Sequence, residues 1–175
     1  MGIYNINTTR FILGEEPEWV SGQVFSTPGD KRFKEVEETV LFQMGFPSGA
    51  LANAATSYGV HQSRRYRCLT DKGAWYGMDP SFSYNGLRLE LSQAKGAQEY
   101  RQQILMPEKA QFALEMDHMA TCVMKDLIPY TPGEEGLQDH RIIEAIYRSA
   151  AEGHPVSLEK IIKTDAFRGT KPEDK

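Results

Sequence analysis

Cysteine is nearly missing from this chain. Only Cys68 and Cys122 occur, far apart and without a CxxC pair, so neither a disulfide framework nor a zinc ribbon has the residues it needs. A reducing compartment follows, with the cytoplasm as the default expectation. Long apolar runs are missing too. None approaches the roughly 20 residues that cross a bilayer, and no basic stretch with an apolar core opens the chain, so no membrane partner is expected. Any targeting segment would have to precede Met1. Basic charge is not in excess: 20 Lys and Arg face 24 Asp and Glu, for a net charge of -4, which removes the electrostatic reason to expect nucleic acid. Finally, no G-x-G-x-x-G turn follows a strand, so a dinucleotide cradle is not encoded here.

What is present is an ordinary globular composition, 40% apolar and 25% charged over 175 residues, enough for one domain with a real core. Ile3, Ile6, Phe11 and Leu13 fall near helical spacing and stop at Gly14, which predicts a first helix. Trp19 to Thr27 reads as a strand ending at Pro28-Gly29-Asp30. Val40, Phe42, Met44 and Phe46 then alternate, Pro47-Ser48-Gly49 turns the chain, and Ala50, Ala52, Ala54, Thr56 and Tyr58 alternate on the return, a hairpin. Its small residues leave room for a helix of this domain or for another polypeptide.

A second hairpin brackets Asp71-Lys72-Gly73, and the strand with Leu87, Leu89 and Leu91 can pair with 99–105. This makes about six or seven strands. Beyond Pro107 the period changes. Phe112, Met116, Met119, Ala120, Val123 and Met124 predict an amphipathic helix beginning near Glu108, and Leu137 to Ala151 a second, closed by Gly153. Strands followed by paired helices imply an α+β domain: an open, mostly antiparallel sheet with helices on one face and the other face available for dimerisation. The domain is expected to occupy residues 1–163, with 164–175 as a polar tail that frays.

Several short pieces carry a resemblance: Gly2-Ile3-Tyr4 with Arg10, Gly14-Glu15-Glu16-Pro17, Phe46-Pro47-Ser48-Gly49-Ala50, Glu115-Met116-Asp117-His118-Met119, Gly133-Glu134-Glu135-Gly136-Leu137, and Ala145-Ile146-Tyr147-Arg148-Ser149-Ala150 with Gly153. In this order and spacing they resemble the C-terminal domain of the Gfo/Idh/MocA oxidoreductases, most of all the glucose-fructose oxidoreductase and dihydrodiol dehydrogenase branch. The resemblance covers almost the whole chain. It implies a two-domain enzyme in which an N-terminal Rossmann domain, absent from this sequence, binds NAD(P), while this domain shapes the pocket for a sugar-like substrate and forms a homodimer or higher oligomer. NAD(P) is then the cofactor of the longer protein. None is expected bound to this chain alone, and the chain alone is expected to be inactive.

Gly2-Ile3-Tyr4 matches the end of the family's Asp-x-Gly-x-Tyr or Asp-x-Gly-x-His motif, whose aspartate would fall just before Met1, and this assigns Tyr4 the catalytic acid-base position. A phenol suits protonation of an oxygen that gains charge as hydride reaches its carbon. Asn7 stands where many relatives have an aspartate, which puts polyol or inositol specificity in doubt. Asn7, Arg10, Tyr58 and His61 are the candidate substrate-binding residues, with Tyr76 at the pocket mouth; Arg10, six positions past Tyr4, also suits an anchor for an acidic loop.

Two rival constellations are present. Glu115, His118 and Cys122 share a helical face, but a structural metal site wants four ligands, so no metal is expected and a core histidine beside a buried thiol is the plainer reading. Arg64-Arg65-Tyr66-Arg67 has the composition of a phosphate-tracking surface, yet a strand points Arg65 and Arg67 one way and Tyr66 and Cys68 the other, as a solvated face does. A non-catalytic module that self-associates through Ala50, Ala52 and Ala54 is the alternative to an oxidoreductase domain.

Overall fold

A computed structural model describes residues 2–172; the start at Met1 and positions 173–175 of the expected tail lie outside the described residues. The elements run α1 (Gly2–Leu13), β1 (Trp19–Phe25), β2 (Thr39–Gly45), β3 (Leu51–Ser57), β4 (Tyr66–Leu69), β5 (Trp75–Met78), β6 (Arg88–Lys95), β7 (Gln98–Leu105), α2 (Gln111–Lys125), α3 (Gly133–Glu152) and β8 (Val156–Ser157). The α+β, antiparallel architecture is the expected one, with its strands divided between two four-stranded sheets of order β3-β2-β1-β8 and β4-β5-β6-β7. The chain forms two compact units, Met1–Gly59 with His118–Lys175, and Val60–Asp117.

In the first unit the alternation of β2 decides the core. Val40, Phe42 and Met44 turn to one face, and together with Val20 of β1, Ile6 of α1, and Ile142 and Ile146 of α3 they form a buried cluster. The register pairs Phe42 with both Gly22 and Ala54, and Met44 with Val20 and Ala52. Ala50, Ala52 and Ala54, partly buried, therefore pack against the core cluster, the first of the two uses expected for their small size. Their small size admits a helix of this same domain: a Cβ on Gly2 would stand 3.2 Å from Thr56 Cγ2, and the Asn5 amide donates to the Ala55 carbonyl at 3.4 Å. Side chains on β3 alternate faces, so only one row is available to α1.

Helix α3 crosses β1 at Gly22, where a Cβ would come within 2.5 Å of the Ile146 carbonyl oxygen; any larger residue would push helix and strand apart. Ser149 fastens the crossing. Its hydroxyl accepts from the Gly22 amide at 3.0 Å and donates to the His154 carbonyl at 2.7 Å. The helix starts a turn earlier than its apolar pattern, at Gly133, with Glu134 and Glu135 in the first turn, where carboxylates complement the positive end of the helix dipole. It ends at Gly153, left-handed at φ 74, whose amide returns to the Ser149 carbonyl.

Two expectations change. Residues 165–170 do not fray: the Asp165 amide donates to the Gly14 carbonyl, the Gly169 amide to Tyr130 and the Thr170 amide to Ile128. Helix α2 forms, but its apolar row Phe112, Met116, Met119 and Val123 is exposed and only Cys122 is buried. Periodicity reveals that a helix has an apolar side, not that the same chain covers it.

In the second unit β4 to β7 form a meander. Tyr66 and Cys68 are half-buried while Arg65 and Arg67 are exposed, the alternation expected of that strand, and the Arg67 guanidinium lies 4.1 Å from the centre of the Trp75 ring. No described helix is long and apolar enough to cross a membrane.

Candidate functional site

Two features flank α1 in the first unit. The first is a buried ionic cluster. Arg10 is 3% exposed and its guanidinium is divided among three carboxylates: Nε to Glu16 at 2.8 Å, Nη1 to Glu135 at 3.0 Å and to Asp139 at 2.5 Å. Arg168 adds a second cation, 3.3 Å from Glu135, with its guanidinium 5.2 Å from the ring centres of Phe11 and Tyr130. The Asn7 amide donates to Glu135 at 2.8 Å and Asp139 at 2.9 Å. Burial works against the charge on Arg10, but the hydrogen bonds and charges of Glu16 and Asp139 outweigh it, and its pKa is raised above the ordinary arginine value.

Three of the scattered motif pieces meet here: Arg10 from the first, Glu16 from Gly14-Glu15-Glu16-Pro17, and Glu135 from Gly133-Glu134-Glu135-Gly136-Leu137. A fourth is tied in next to it, since Glu15 accepts from the Ser48 amide at 3.2 Å. Arg10 thus takes the anchoring role its position suggested, and its burial keeps it from direct contact with a solute in the described chain. Asn7 is half-buried with its nitrogen committed to the same carboxylates.

The second feature is a cavity of about 200 Å³ beside the first turn of α1. Its floor is apolar, from Ile6, Val40, Phe42 and Ile146, and its rim is polar, from Glu37, Glu38, Ser57, Tyr58 and Tyr147; Gly2 and Ile3 form the wall next to Tyr4. The Tyr147 hydroxyl donates to Glu37 at 2.6 Å. That hydrogen bond, then partial burial, pushes the Tyr147 phenol up to about 12. Glu38 accepts from the Thr27 amide at 2.9 Å and hydroxyl at 2.6 Å, which lowers its pKa. The rim therefore presents carboxylate and hydroxyl oxygens, a set suited to hydroxyl partners.

Of the sequence candidates, Tyr4 stands on the first turn of α1, half exposed, and Tyr58 lines the cavity. His61 is exposed in the second unit. Tyr76 of that unit hydrogen-bonds Cys68; burial first and then this thiol push its phenol up to about 12. The sequence reading missed Glu37 and Tyr147, one in an irregular segment and the other inside a helix motif, because their pairing spans 110 positions. The rival metal face resolves differently: His118 Nε2 accepts the Tyr130 amide at 3.0 Å, with Cys122 Sγ at 3.6 Å from it. Among the described residues no group of three or more His, Cys, Asp and Glu is placed to hold a metal.

Comparison with known proteins agrees with this architecture. Residues 1–158 match the sequence model of the oxidoreductase family, C-terminal alpha/beta domain, and the chain belongs to that Gfo/Idh/MocA family. It is 30% identical over 161 residues to D-xylose 1-dehydrogenase [NADP(+)] of Haloarcula marismortui, covering 91% of this chain and 43% of the relative. Among solved structures it is similar to aldose-aldose oxidoreductase from Caulobacter crescentus complexed with glycerol, at 39% identity and a TM-score of 0.80, covering 90% of this chain and 46% of that one. D-xylose 1-dehydrogenase (NADP(+)) 2 of Haloferax volcanii is 25% identical over 91% of this chain and 47% of its own length. The chain thus spans about half the length of the relatives it matches.

Proposed function

We propose that this chain is the substrate-binding half of an NAD(P)-dependent oxidoreductase acting on a sugar or a related hydroxy or oxo compound, with Tyr4 as its acid-base residue. The observation that carries the reading is the cavity beside the first turn of α1, apolar below and hydroxylated above, immediately next to the residue that the family motif marks for proton transfer. The named activities of the similar proteins support the substrate class.

A dinucleotide does not fit the residues present. Every strand pairing described is antiparallel, and the parallel strand-turn-helix unit that cradles a pyrophosphate is not among them. The hydride carrier belongs to a portion outside this chain, and the chain alone is inactive. What its own residues do is hold the substrate and move a proton at one oxygen. Tyr4 receives the proton of the hydroxyl undergoing oxidation, or returns it in reduction, while a bound NAD(P) would take up or supply the hydride at the adjoining carbon. The Arg10 cluster fixes α1 against α3 and so sets where that phenol stands.

Self-association, if it accompanies this activity, uses the sheet face away from the helices, where Phe25, Leu41 and Leu51 are exposed; light scattering that shows only monomer at high micromolar concentration would remove this part. The catalytic test joins the chain to the nucleotide-binding half of the Haloarcula marismortui enzyme. NADP-dependent oxidation of D-xylose is expected, falling roughly 10²–10⁴-fold in Tyr4→Phe. Equal rates in the two proteins, or micromolar binding of NADPH by the chain alone, would refute the assignment.

A further inference from the structure

We infer that the cavity beside α1 selects its occupant by charge: it takes the non-reacting end of a neutral polyhydroxylated ring and turns away the same ring carrying a carboxylate or phosphate. This rests on the sugar oxidoreductase reading and specifies its substrate class. Tyr4 is not among the lining residues, so the reacting carbon lies beyond the cavity edge and the cavity grips hydroxyls remote from it, the part of a substrate whose binding energy serves to orient the rest.

The charges of the rim are of one sign. Glu37 and Glu38 are its acids; Ser57, Tyr58 and Tyr147 add hydroxyls, and among the described residues no Lys or Arg lines the cavity. Nearby Arg32 influences Glu38, but its guanidinium is held by both oxygens of Asp30, Nε to Oδ1 at 3.1 Å and Nη2 to Oδ2 at 2.7 Å. A carboxylate offers about four acceptor positions. Glu37 uses one on Tyr147 and Glu38 two on Thr27, so hydroxyl donors can still be received, while the C–H face of a ring covers Val40, Phe42 and Ile146. An anionic ligand has only acceptors to present where the rim already presents carboxylate acceptors, Glu37 and Glu38, and no cation among the lining residues offsets its charge.

The test is a titration of the isotopically labelled chain, followed by amide and tyrosine-ring NMR shifts, with D-glucose and with D-glucuronate, which differ in one carboxylate. Glucose is expected to shift Gly2, Ile3, Ser57 and Tyr58, and glucuronate to bind at least tenfold more weakly at low ionic strength. The gap should narrow in 0.5 M salt and at least threefold in Glu37→Gln, and Tyr147→Phe should weaken glucose. Glucuronate binding as tightly as glucose, glucose shifts confined to residues outside the cavity, or no shifts with molar glucose would overturn the inference. Such a failure leaves the Tyr4→Phe experiment untouched. Conversely, charge selection without Tyr4-dependent turnover would mark a sugar-binding module that performs no chemistry.

Discussion

The two units of this chain have comparable amounts of sheet and very different interiors. Among the described residues, every buried apolar side chain belongs to the unit built from α1, β1–β3, α3 and β8, together with Cys122 of α2, whereas the buried residues of Val60–Asp117 are Gly77, Ser81 and Ser92. Every residue of β7 is exposed. A sheet becomes stable by burying a face, and the second meander, taken by itself, relies on edge pairing, on the Arg67–Trp75–Arg101 stack and on the Tyr76–Cys68 contact. Similar hydrogen-bonding patterns therefore conceal unequal resistance to opening.

Each unit carries one tryptophan, Trp19 and Trp75, so single-tryptophan variants can report them separately. The largest effect is expected from Arg10→Ala, which leaves three buried carboxylates with Arg168 as the cluster's one cation and should cost about 3–5 kcal/mol in urea unfolding followed through Trp19 in a Trp75→Phe background. The Trp75 signal, in Trp19→Phe, should hold its midpoint; if both fall together, the units unfold as one and the contrast fails. Gly22→Ala should cost about 1–3 kcal/mol by the same measurement, because the new Cβ meets helix backbone that has nowhere to go. With no substitution at all, hydrogen exchange should be roughly tenfold or more faster in β5–β7 than in β1–β3; equal protection would break the comparison.

The smallest effect concerns Tyr147. Its folded pKa of about 12 stands above the unfolded value near 10, so the stability it contributes is complete below about pH 10 and disappears as pH rises through about 12. In a spectrophotometric titration, Tyr147→Phe should delete one late-titrating phenol, and it should lower stability at neutral pH by less than Gly22→Ala does, a loss that fades as pH rises through about 12.

Local elements were readable because their signals are local. Val40, Phe42, Met44 and Phe46 declare their own face, and Gly153 ends α3 whatever packs on it. The spacing of Ile3, Ile6, Phe11 and Leu13 is enough to put Tyr4 on a helix. The partners of Arg10 were not readable, since Glu135 and Asp139 lie more than a hundred positions away and an acidic first turn of a helix has an adequate local explanation. The exposed row of α2 escaped for the opposite reason: its period is correct, but a period says nothing about what lies opposite. Glu37 and Tyr147 became a pair only through the approach of α3 to the end of β2.

The docking of residues 165–170 ties the far end of the polypeptide to its beginning, through Gly14 on one side and Glu135 on the other. Shortening the protein at position 163 would thus be an operation on the surroundings of α1 as well. With Arg168 removed, the acids around Arg10 would outnumber it three to one, and the damage would surface at the helix bearing Tyr4, far along the chain from the cut.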